Sequence, residues 1–186
     1  MSKKALVAMS GGVDSSVALY LTQKAGYECI GVTMKLFDGE KECASKKSCC
    51  SLSDVEDARS VAVKFDIPFY VFDYREEFKN TVIDKFILEY KNGNTPNPCI
   101  DCNHYMKFQH LYQQARQLGC DVIVTGHYAR VIYREENREY ELHSGIDGKK
   151  DQSYVLFSLN QEQLKHTFFP LGEYTKDEIR RIAESL

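Results

Sequence analysis

A run of small residues, Ser10-Gly11-Gly12-Val13-Asp14-Ser15-Ser16, is the segment whose residue types and spacing best suit chemistry. Small side chains let successive backbone N–H groups close around an anion, and the first turn of a helix favours negative charge there. The run lacks the lysine of a Gly-x-x-x-x-Gly-Lys-Ser/Thr loop, and it is not a Gly-x-Gly-x-x-Gly loop. We therefore expect it to bind a phosphate or pyrophosphate without transferring a γ-phosphoryl group. A plain Gly-Gly turn between a strand and a helix is the alternative.

Two cysteines three positions apart, Cys99 and Cys102, form the second candidate site. They follow a rigid Pro-Asn-Pro turn and stand at the start of a predicted helix, where a thiol pKa is lowered and the reactive thiolate is favoured. A reactive thiol and a metal ligand are both open at this point, and two buried thiols are the alternative to either. A zinc site would need two more ligands, and the histidines of the chain form no recognisable second half.

The other five cysteines are not assigned to this candidate site. Seven cysteines in all, an odd number, argue against a disulfide framework. Cys29 and Cys120 adjoin apolar runs and are predicted to be buried. Cys43, Cys49 and Cys50 lie in a polar stretch at residues 39–50, which is predicted to be a loop.

The apolar runs around these segments predict the elements that position them. Residues 5–9 form a continuous apolar run of strand length, and residues 17–21 read as a helix that packs back onto a sheet. Further strands are predicted at residues 29–34, 68–73, 121–127 and 154–157, and a hairpin at residues 128–142. This order predicts an α/β fold, an open and mostly parallel sheet with helices on both faces.

Ligands of such sheets bind at the carboxyl ends of the strands. Met34 and Gly126 end two predicted strands and are therefore candidates for contact with a nucleotide, Gly126 because its backbone can approach a ligand closely. A residue that simply ends a core strand is the equal alternative for Met34. His127 could act on a substrate, although a structural histidine is the more frequent case. Lys149 and Lys150 suit phosphate contact, and a solvated turn explains them equally well.

Composition excludes several classes of protein. A hydrophobic content of 43% with 27% charged residues is typical of soluble globular proteins. Apolar runs of membrane-spanning length and a signal peptide are both absent, which predicts a cytoplasmic protein with no membrane partner. A net charge of −3 gives no global signature of nucleic-acid binding, so any RNA contact must be local.

Several short motifs occur in the order found in one known family. They are Ser-Gly-Gly-Val-Asp-Ser-Ser, Gly31-Val32-Thr33-Met34-Lys35, Thr95-Pro96-Asn97-Pro98 with Cys102-Asn103, Lys107-Phe108, Thr125-Gly126-His127-Tyr128-Ala129-Arg130 and Asp151-Gln152-Ser153-Tyr154. The first resembles the pyrophosphate loop of the N-type ATP pyrophosphatases, whose fold is adenine nucleotide α-hydrolase-like. Together they resemble the bacterial tRNA-specific 2-thiouridylase family over the whole chain.

The resemblance implies roles for particular residues. ATP would be held by Ala8, Met9, Ser10, Gly11, Gly12, Val13, Asp14, Ser15, Met34 and Gly126. The tRNA would be contacted by Asn97, Pro98, Cys99, Lys150, Asp151 and Gln152. Catalysis would fall to Cys102, with Asp14 helping to place Mg²⁺ and the phosphates, and with Cys99 beside it.

The reaction implied is ATP-dependent 2-thiolation of the wobble uridine of tRNA. Uridine O2 attacks the α-phosphate of ATP, pyrophosphate leaves, and a persulfide sulfur then displaces AMP. The implied partners are tRNA and a sulfur-donor protein, either a cysteine desulfurase or a sulfur relay.

Two departures from the family pattern matter. Many members have Asp where this chain has Cys99, and Cys99-x-x-Cys102 instead resembles a subset thought to bind a 4Fe–4S cluster, which makes Cys99 and Cys102 candidate iron ligands. The family's second catalytic cysteine falls beyond residue 186. Thr175-Lys176-Asp177-Glu178 opens a helix that reaches residue 186 without a stop signal, which predicts a chain cut from a longer protein. We expect an ATP pyrophosphatase domain over residues 1–160 and the start of a further helical segment over residues 161–186.

Three other functions compete with this prediction. A 2-thiocytidine synthase would also use Cys-x-x-Cys pairs, and a GMP-synthetase-like amidotransferase would not need Cys102. A non-catalytic ATP-binding domain would bind ATP without releasing pyrophosphate.

Overall fold

The computed structural model describes residues 2–37 and 52–186. The strands are β1 (Lys4–Ala8), β2 (Glu28–Lys35), β3 (Phe69–Asp73), β4 (Val122–Val124), β5 (Ala129–Arg134), β6 (Glu139–Ser144) and β7 (Thr167–Phe168). The α-helices are α1 (Val13–Lys24), α2 (Leu52–Lys64), α3 (Arg75–Phe78), α4 (Asp84–Lys91), α5 (Pro98–Asp101), α6 (Tyr112–Gln117), α7 (Gln161–Lys165) and α8 (Lys176–Ser185). The predicted loop at residues 39–50, with Cys43, Cys49 and Cys50, lies outside the described residues.

Two π-helices join α-helices into longer rods. Lys79–Ile83 continues α3 into α4, and Cys102–Leu111 continues α5 into α6. We call the second of these, residues 98–117, the cysteine rod. Within the described residues, no helix is both long enough and apolar enough to cross a membrane.

Five parallel strands form the main sheet, in the order β3-β2-β1-β4-β7. The chain leaves β1 towards β2 on one side and later returns to β4 on the other, so the strand order reverses between β1 and β4. Ligands of open α/β sheets bind at such a reversal, beyond the carboxyl ends of the strands. The remaining strands, β5 and β6, form the predicted antiparallel hairpin. The predicted parallel sheet and hairpin are both confirmed.

Alternate residues of β1 pack into different cores, because successive side chains of a strand point to opposite faces. Ala5 and Val7 pack with α1, α2 and α8 on one face, where Ile179 of α8 is fully buried. Leu6 packs on the other face with Val82 of the first π-helix and Met106 of the cysteine rod. Helices therefore cover both faces, as predicted.

The prediction of a strand at residues 154–157 is wrong. Ser153–Val155 is a 3₁₀ turn, in which the Ser153 N–H and hydroxyl both bind the Asp151 carboxylate. Val155 and Leu156 are both buried, whereas Tyr154 and Phe157 on either side are exposed. Two adjacent buried residues suit a helical turn, since a strand would alternate.

The fifth strand of the sheet comes instead from residues 167–168. β7 pairs with β4, and Thr167 lies beside Ile123. A capping box from Thr175 to Glu178 then opens α8, as predicted. The division of the chain after residue 160 stays a prediction, and residues from both sides of it share the main sheet.

Candidate active site

The loop after β1 presents backbone donors at the reversal of strand order. Gly12 is the N-cap of α1, and Gly11 has a φ of +74°, a conformation that glycine adopts readily. A Cβ on Gly11 would also lie 2.6 Å from the backbone oxygen of Asp54. The N–H groups of residues 11–15 have no hydrogen-bond acceptor in the part of the chain that the structure describes. We call these five N–H groups the amide nest, and a group of such donors at a helix N-terminus suits an anion.

Serine hydroxyls brace the loop from within. The Ser15 hydroxyl donates to the Gly12 carbonyl over 2.9 Å and accepts from the Ser10 N–H over 3.2 Å. Ser15 is buried, so its hydroxyl holds the loop closed while the backbone N–H groups stay available. Of the residues predicted to hold ATP, Met9 has its side chain buried in the core, its N–H bound to the Val32 carbonyl and its carbonyl bound by the Thr33 hydroxyl, so its contact with ATP stays a prediction.

Asp14 is held by two residues from distant parts of the sequence. Its Oδ1 lies 2.5 Å from Lys176 Nζ and accepts a 2.9 Å hydrogen bond from the Tyr128 hydroxyl. Asp14 Oδ2 has no hydrogen-bond partner in residues 2–37 and 52–186. Burial and the Asp14 carboxylate together raise the pKa of Tyr128.

Lys176 was missed as a site residue by the sequence analysis. It is the first residue of α8, and its backbone N–H donates to Asp147 over 2.9 Å. Its side chain crosses to Asp14, which is 162 residues earlier in the chain. The phosphate loop lacks a lysine of its own, and the fold supplies one from α8. Residue types near Lys176 signal only a helix cap.

The chain that follows β4 packs closely against the loop that carries the amide nest. A Cβ on Gly126 would lie 3.1 Å from the backbone carbon of Asp14 and 3.2 Å from the N atom of Ser15. Gly126 therefore lies close to the loop itself, and its contact with a nucleotide stays a prediction. Met34, at the end of β2, is buried in the core of the other face, and its contact with a nucleotide stays a prediction.

The cysteine rod begins at a well-formed cap. Asn97 Oδ1 accepts from the Cys99 N–H over 3.0 Å, and Pro98 occupies the first helical position. Asn103 Nδ2 donates to the Cys99 carbonyl over 2.8 Å. These bonds fix the backbone of Cys99, whose side chain is exposed, while Cys102 is partly buried. Contact of Asn97, Pro98 and Cys99 with a target base stays a prediction.

The π-helical part of the rod aligns Cys102 with Lys107. A π-helix repeats through i→i+5 hydrogen bonds and often marks a functional site. Cys102 and Lys107 are five positions apart and therefore lie one turn apart on the same side of the rod. An α-helix would have turned Lys107 well away from that side.

Lys107 reaches His127, which follows Gly126 at the end of β4. Lys107 Nζ lies 3.5 Å from His127 Nε2, and His127 Nδ1 lies 2.7 Å from Thr125 Oγ1. Burial, with a smaller contribution from Lys107, holds the pKa of His127 well below its ordinary value. The imidazole is therefore neutral at physiological pH. Since an ammonium only donates, Nε2 must accept, and the ring proton is on Nδ1.

The predicted tRNA segment is joined to this site through Tyr128. The Tyr128 N–H donates to Gln152 Oε1 over 3.1 Å, and the Gln152 N–H donates to the Tyr128 carbonyl over 3.1 Å. Lys150 is exposed beside it, and the Asp151 carboxylate binds Ser153. Gln152 and Asp14 thus contact the same tyrosine. RNA contact by residues 150–152 stays a prediction.

The described residues do not complete an iron–sulfur site. A 4Fe–4S cluster is held by four thiolates, and Cys99 and Cys102 supply two. Across residues 2–37 and 52–186, no three Cys, His, Asp or Glu side chains lie close enough together to bind a metal ion. Cys29 and Cys120 are buried, as predicted, and burial is the main cause that raises the pKa of each thiol to about 11.

The chain is similar to curated proteins over its whole length. It is 54% identical over 186 residues to "tRNA-specific 2-thiouridylase MnmA" of Clostridioides difficile strain 630, covering 100% of this chain and 52% of that protein. The protein of the same name from Desulforamulus reducens is 51% identical over 188 residues, with 100% and 51% covered. The chain therefore spans about half the length of these relatives.

Two solved structures share the fold. A 4-thiouridine synthetase in complex with RNA and bound ATP matches with a TM-score of 0.59 and 19% identity, over 98% of this chain and 40% of that one. An NH3-dependent NAD synthetase from Campylobacter jejuni matches with a TM-score of 0.54 and 16% identity, over 100% and 64%. At these identities the likeness supports the α/β fold.

One family model, described as the tRNA methyl transferase HUP domain, matches residues 3–186. The motifs that predicted a 2-thiouridylase are thus found in a chain about half identical to proteins of that name. The chain belongs to the tRNA methyl transferase HUP domain family, and its curated relatives are named tRNA-specific 2-thiouridylases.

Proposed function

We propose that this chain is the ATP-binding and adenylating part of an enzyme that performs 2-thiolation of the wobble uridine of tRNA. The observation that carries the proposal is the amide nest at the reversal of strand order, joined through Gly126 and His127 to the rod that bears Cys102. The relatives named tRNA-specific 2-thiouridylase support the choice of substrate.

The nest and Lys176 would bind the leaving part of ATP, its β- and γ-phosphates. The five N–H groups suit oxygen atoms of a pyrophosphate, and Lys176 adds a positive charge beside them. Mg²⁺ is commonly bound by one or two carboxylates together with substrate phosphates and water. Asp14 Oδ2, which has no described hydrogen-bond partner, suits that role.

The first chemical step would be adenylation. Uridine O2 attacks the α-phosphorus, the bond from that phosphorus to the bridging oxygen breaks, and its electron pair leaves with pyrophosphate. Positioned donors are the main aid that a protein gives to such a transfer. The described side chains supply donors and positioning for this step, and it needs no covalent intermediate on the protein.

Sulfur would enter in the second step. A persulfide sulfur attacks C2 of the activated uridine, the C2–O bond breaks and AMP leaves. A second thiol then attacks the inner sulfur of the persulfide, forms a disulfide with it and releases 2-thiouridine. Cys102 is the described thiol that lies one π-turn from Lys107. The sulfur-donor protein, the iron–sulfur alternative at Cys99 and Cys102, and the cytoplasmic location remain proposals carried over from the sequence.

Exchange of labelled pyrophosphate into ATP tests the adenylation step. We expect exchange only when a transcript with a wobble uridine is present, because the adenylated base must form and then reverse. A transcript that differs only by a wobble cytidine is the matched control. Asp14→Asn is expected to lose exchange, whereas Cys102→Ser is expected to keep it and to form no 2-thiouridine.

Other outcomes would favour the competing functions. Exchange that follows the cytidine transcript would indicate a 2-thiocytidine synthase, and exchange without any tRNA would indicate an amidotransferase-like enzyme. ATP binding without exchange under all these conditions would favour a non-catalytic nucleotide-binding domain.

A further inference from the structure

We propose that Lys107 is a further catalytic residue, which binds the α-phosphate of the nucleotide, and that His127 is its positioning residue. The proposal rests on the function proposed above, since it assigns a contact within the same ATP site. The amide nest and Lys176 account for the β- and γ-phosphates. Neither accounts for the phosphate at which the reaction occurs.

Lys107 reaches the end of β4 from the face opposite the nest. Gly126 is directed towards the backbone of Asp14 and Ser15, on the face covered by α1. Thr125 and His127, one residue to either side, bind each other on the opposite face, where the cysteine rod packs. Residues 125–127 follow β4 and continue the alternation by which Ile123 and Val124 face opposite sides of the sheet. The pyrophosphate part of a bound nucleotide would occupy the nest on one face, and its α-phosphate would face Cys102 on the other. Such a nucleotide must cross the end of β4.

The ammonium of Lys107 lacks a counter-charge among the described residues. In the part of the chain that the structure describes, its one polar contact is His127 Nε2 at 3.5 Å, and it has no carboxylate within ion-pair distance. Lys107 is partly buried, which makes an unneutralised charge costly. A neutral imidazole orients the ammonium without neutralising it. The pair therefore holds a positive charge for an anion that arrives with the substrate.

The imidazole itself is locked in place. His127 is buried between Phe108, with ring centroids 6.5 Å apart, and Phe169, at 5.9 Å with the rings nearly perpendicular. Its Nδ1–H donates to Thr125. The ring cannot turn without losing both arrangements, so the direction from Nε2 to Lys107 is fixed before a ligand binds.

The position of Lys107 on the rod identifies the phosphate. Lys107 lies one π-turn from Cys102, on the same side of the rod. The α-phosphorus is bonded first to the leaving pyrophosphate and then to the uridine that receives sulfur, so it lies between the nest and Cys102. When uridine O2 attacks, the α-phosphoryl oxygens gain negative charge, and the Lys107 ammonium stabilises it without giving up a proton.

Affinities for AMP and adenosine test the assignment, because these ligands differ only by the α-phosphate. We expect the wild-type chain to prefer AMP to adenosine and Lys107→Met to reduce that preference by about tenfold, the loss of one charge-assisted contact. Adenosine affinity should not change. Lys176→Met should keep the AMP preference and reduce the preference for ATP over AMP. Lys165→Met, an exposed lysine on α7, is the control for a lost charge.

Failure of this inference and failure of the proposed function are distinguishable. A wild-type chain that binds no adenine nucleotide would overturn both. A wild-type chain that prefers AMP, together with Lys107→Met and Lys107→Gln variants that keep the full preference, would overturn the role of Lys107 and leave the ATP site standing. Thermal midpoints of both variants verify that they are folded.

The role of His127 is tested by a conservative replacement. His127→Gln offers a carbonyl oxygen as acceptor and should keep most of the AMP preference, whereas His127→Phe offers none and should lose as much as Lys107→Met. Equal AMP preference in the His127→Phe variant and the wild type, with both folded, would overturn the positioning role.

Discussion

Lys176 and Lys107 reach the same edge of the sheet from opposite faces, and they are held in different ways. Lys176 comes from α8 and lies 2.5 Å from the Asp14 carboxylate. Lys107 comes from the cysteine rod and faces the neutral ring of His127. The first charge is neutralised within the protein, whereas none of the described carboxylates neutralises the second.

The difference shows how one site can treat two phosphates differently. When a nucleotide binds, Lys176 must replace its ion pair with Asp14 by one with a phosphate. This replacement suits a phosphate that arrives with Mg²⁺, because the Asp14 carboxylate can then bind the ion. Lys107 has no carboxylate to release in residues 2–37 and 52–186. It is ready for the phosphate that stays bound to the substrate after pyrophosphate has left.

Removing both lysines gives the largest expected effect. If they contact different phosphates, their contributions are nearly independent, and independent effects on free energy add. We expect Lys107→Met with Lys176→Met to lower ATP affinity by about 100-fold, the product of about tenfold from each, by titration calorimetry. A double variant no weaker than either single variant would mean that both lysines contact the same group.

The neutrality of His127 predicts a pH dependence of stability. An unfolded histidine titrates near pH 6.5, while His127 in the fold has a pKa well below that value. As the pH falls below about 6.5, the unfolded chain binds a proton that folded His127 does not. Stability from this residue should therefore fall with decreasing pH, by up to about 1.4 kcal/mol per pH unit.

Urea unfolding at several pH values measures this contribution. The free energy of unfolding of the wild type should decrease more steeply from pH 7 to pH 5 than that of His127→Gln. Parallel curves would show that His127 is protonated in the fold, and the contrast between the two lysines would then be lost.

Asp14→Asn tests the exchange at Lys176 without Mg²⁺. With the carboxylate removed, Lys176 is available to ATP and a negative charge near the nest is gone. We expect ATP affinity measured in EDTA to rise by about fivefold, in keeping with the modest value of half-exposed ion pairs. With excess Mg²⁺ the same variant should bind more weakly than the wild type. Weaker binding in EDTA as well would show that Asp14 does not compete for Lys176.

Tyr128→Phe is expected to have an effect about as small as that of Asp14→Asn. It removes the 2.9 Å hydrogen bond to Asp14 and keeps the buried ring. We expect a loss of about 1 kcal/mol in the free energy of unfolding, the ordinary contribution of one hydrogen bond. The AMP preference assigned to Lys107 should not change, because Tyr128 contacts the Lys176 side of the site. A loss of that preference would show that the Lys176 side and the Lys107 side of the site are coupled.

Local patterns were enough to predict most of the sheet. The apolar runs at residues 5–9, 29–34, 68–73 and 121–127 were long and regular enough to identify β1 to β4, and the hairpin followed from alternation around a polar tip. The strand prediction for residues 154–157 was wrong because a short apolar run of residue types common in strands fits a strand or a buried turn equally well. β7 has two residues and is formed by pairing with β4, so no local pattern announces it.

The sequence by itself determined the phosphate loop and the cysteine pair. Two glycines, small hydroxyl residues and a following helix fix the nest through local sterics, and Asn97-Pro98 caps the rod through one side-chain bond. Only the tertiary structure decided which lysine side chains lie beside the phosphate loop and the cysteine pair. Lys176 meets Asp14 across 162 positions because α8 packs on α1, and Lys107 turns to the side of Cys102 because the rod is π-helical there. Long-range packing and a changed hydrogen-bond repeat leave no mark in the types of neighbouring residues.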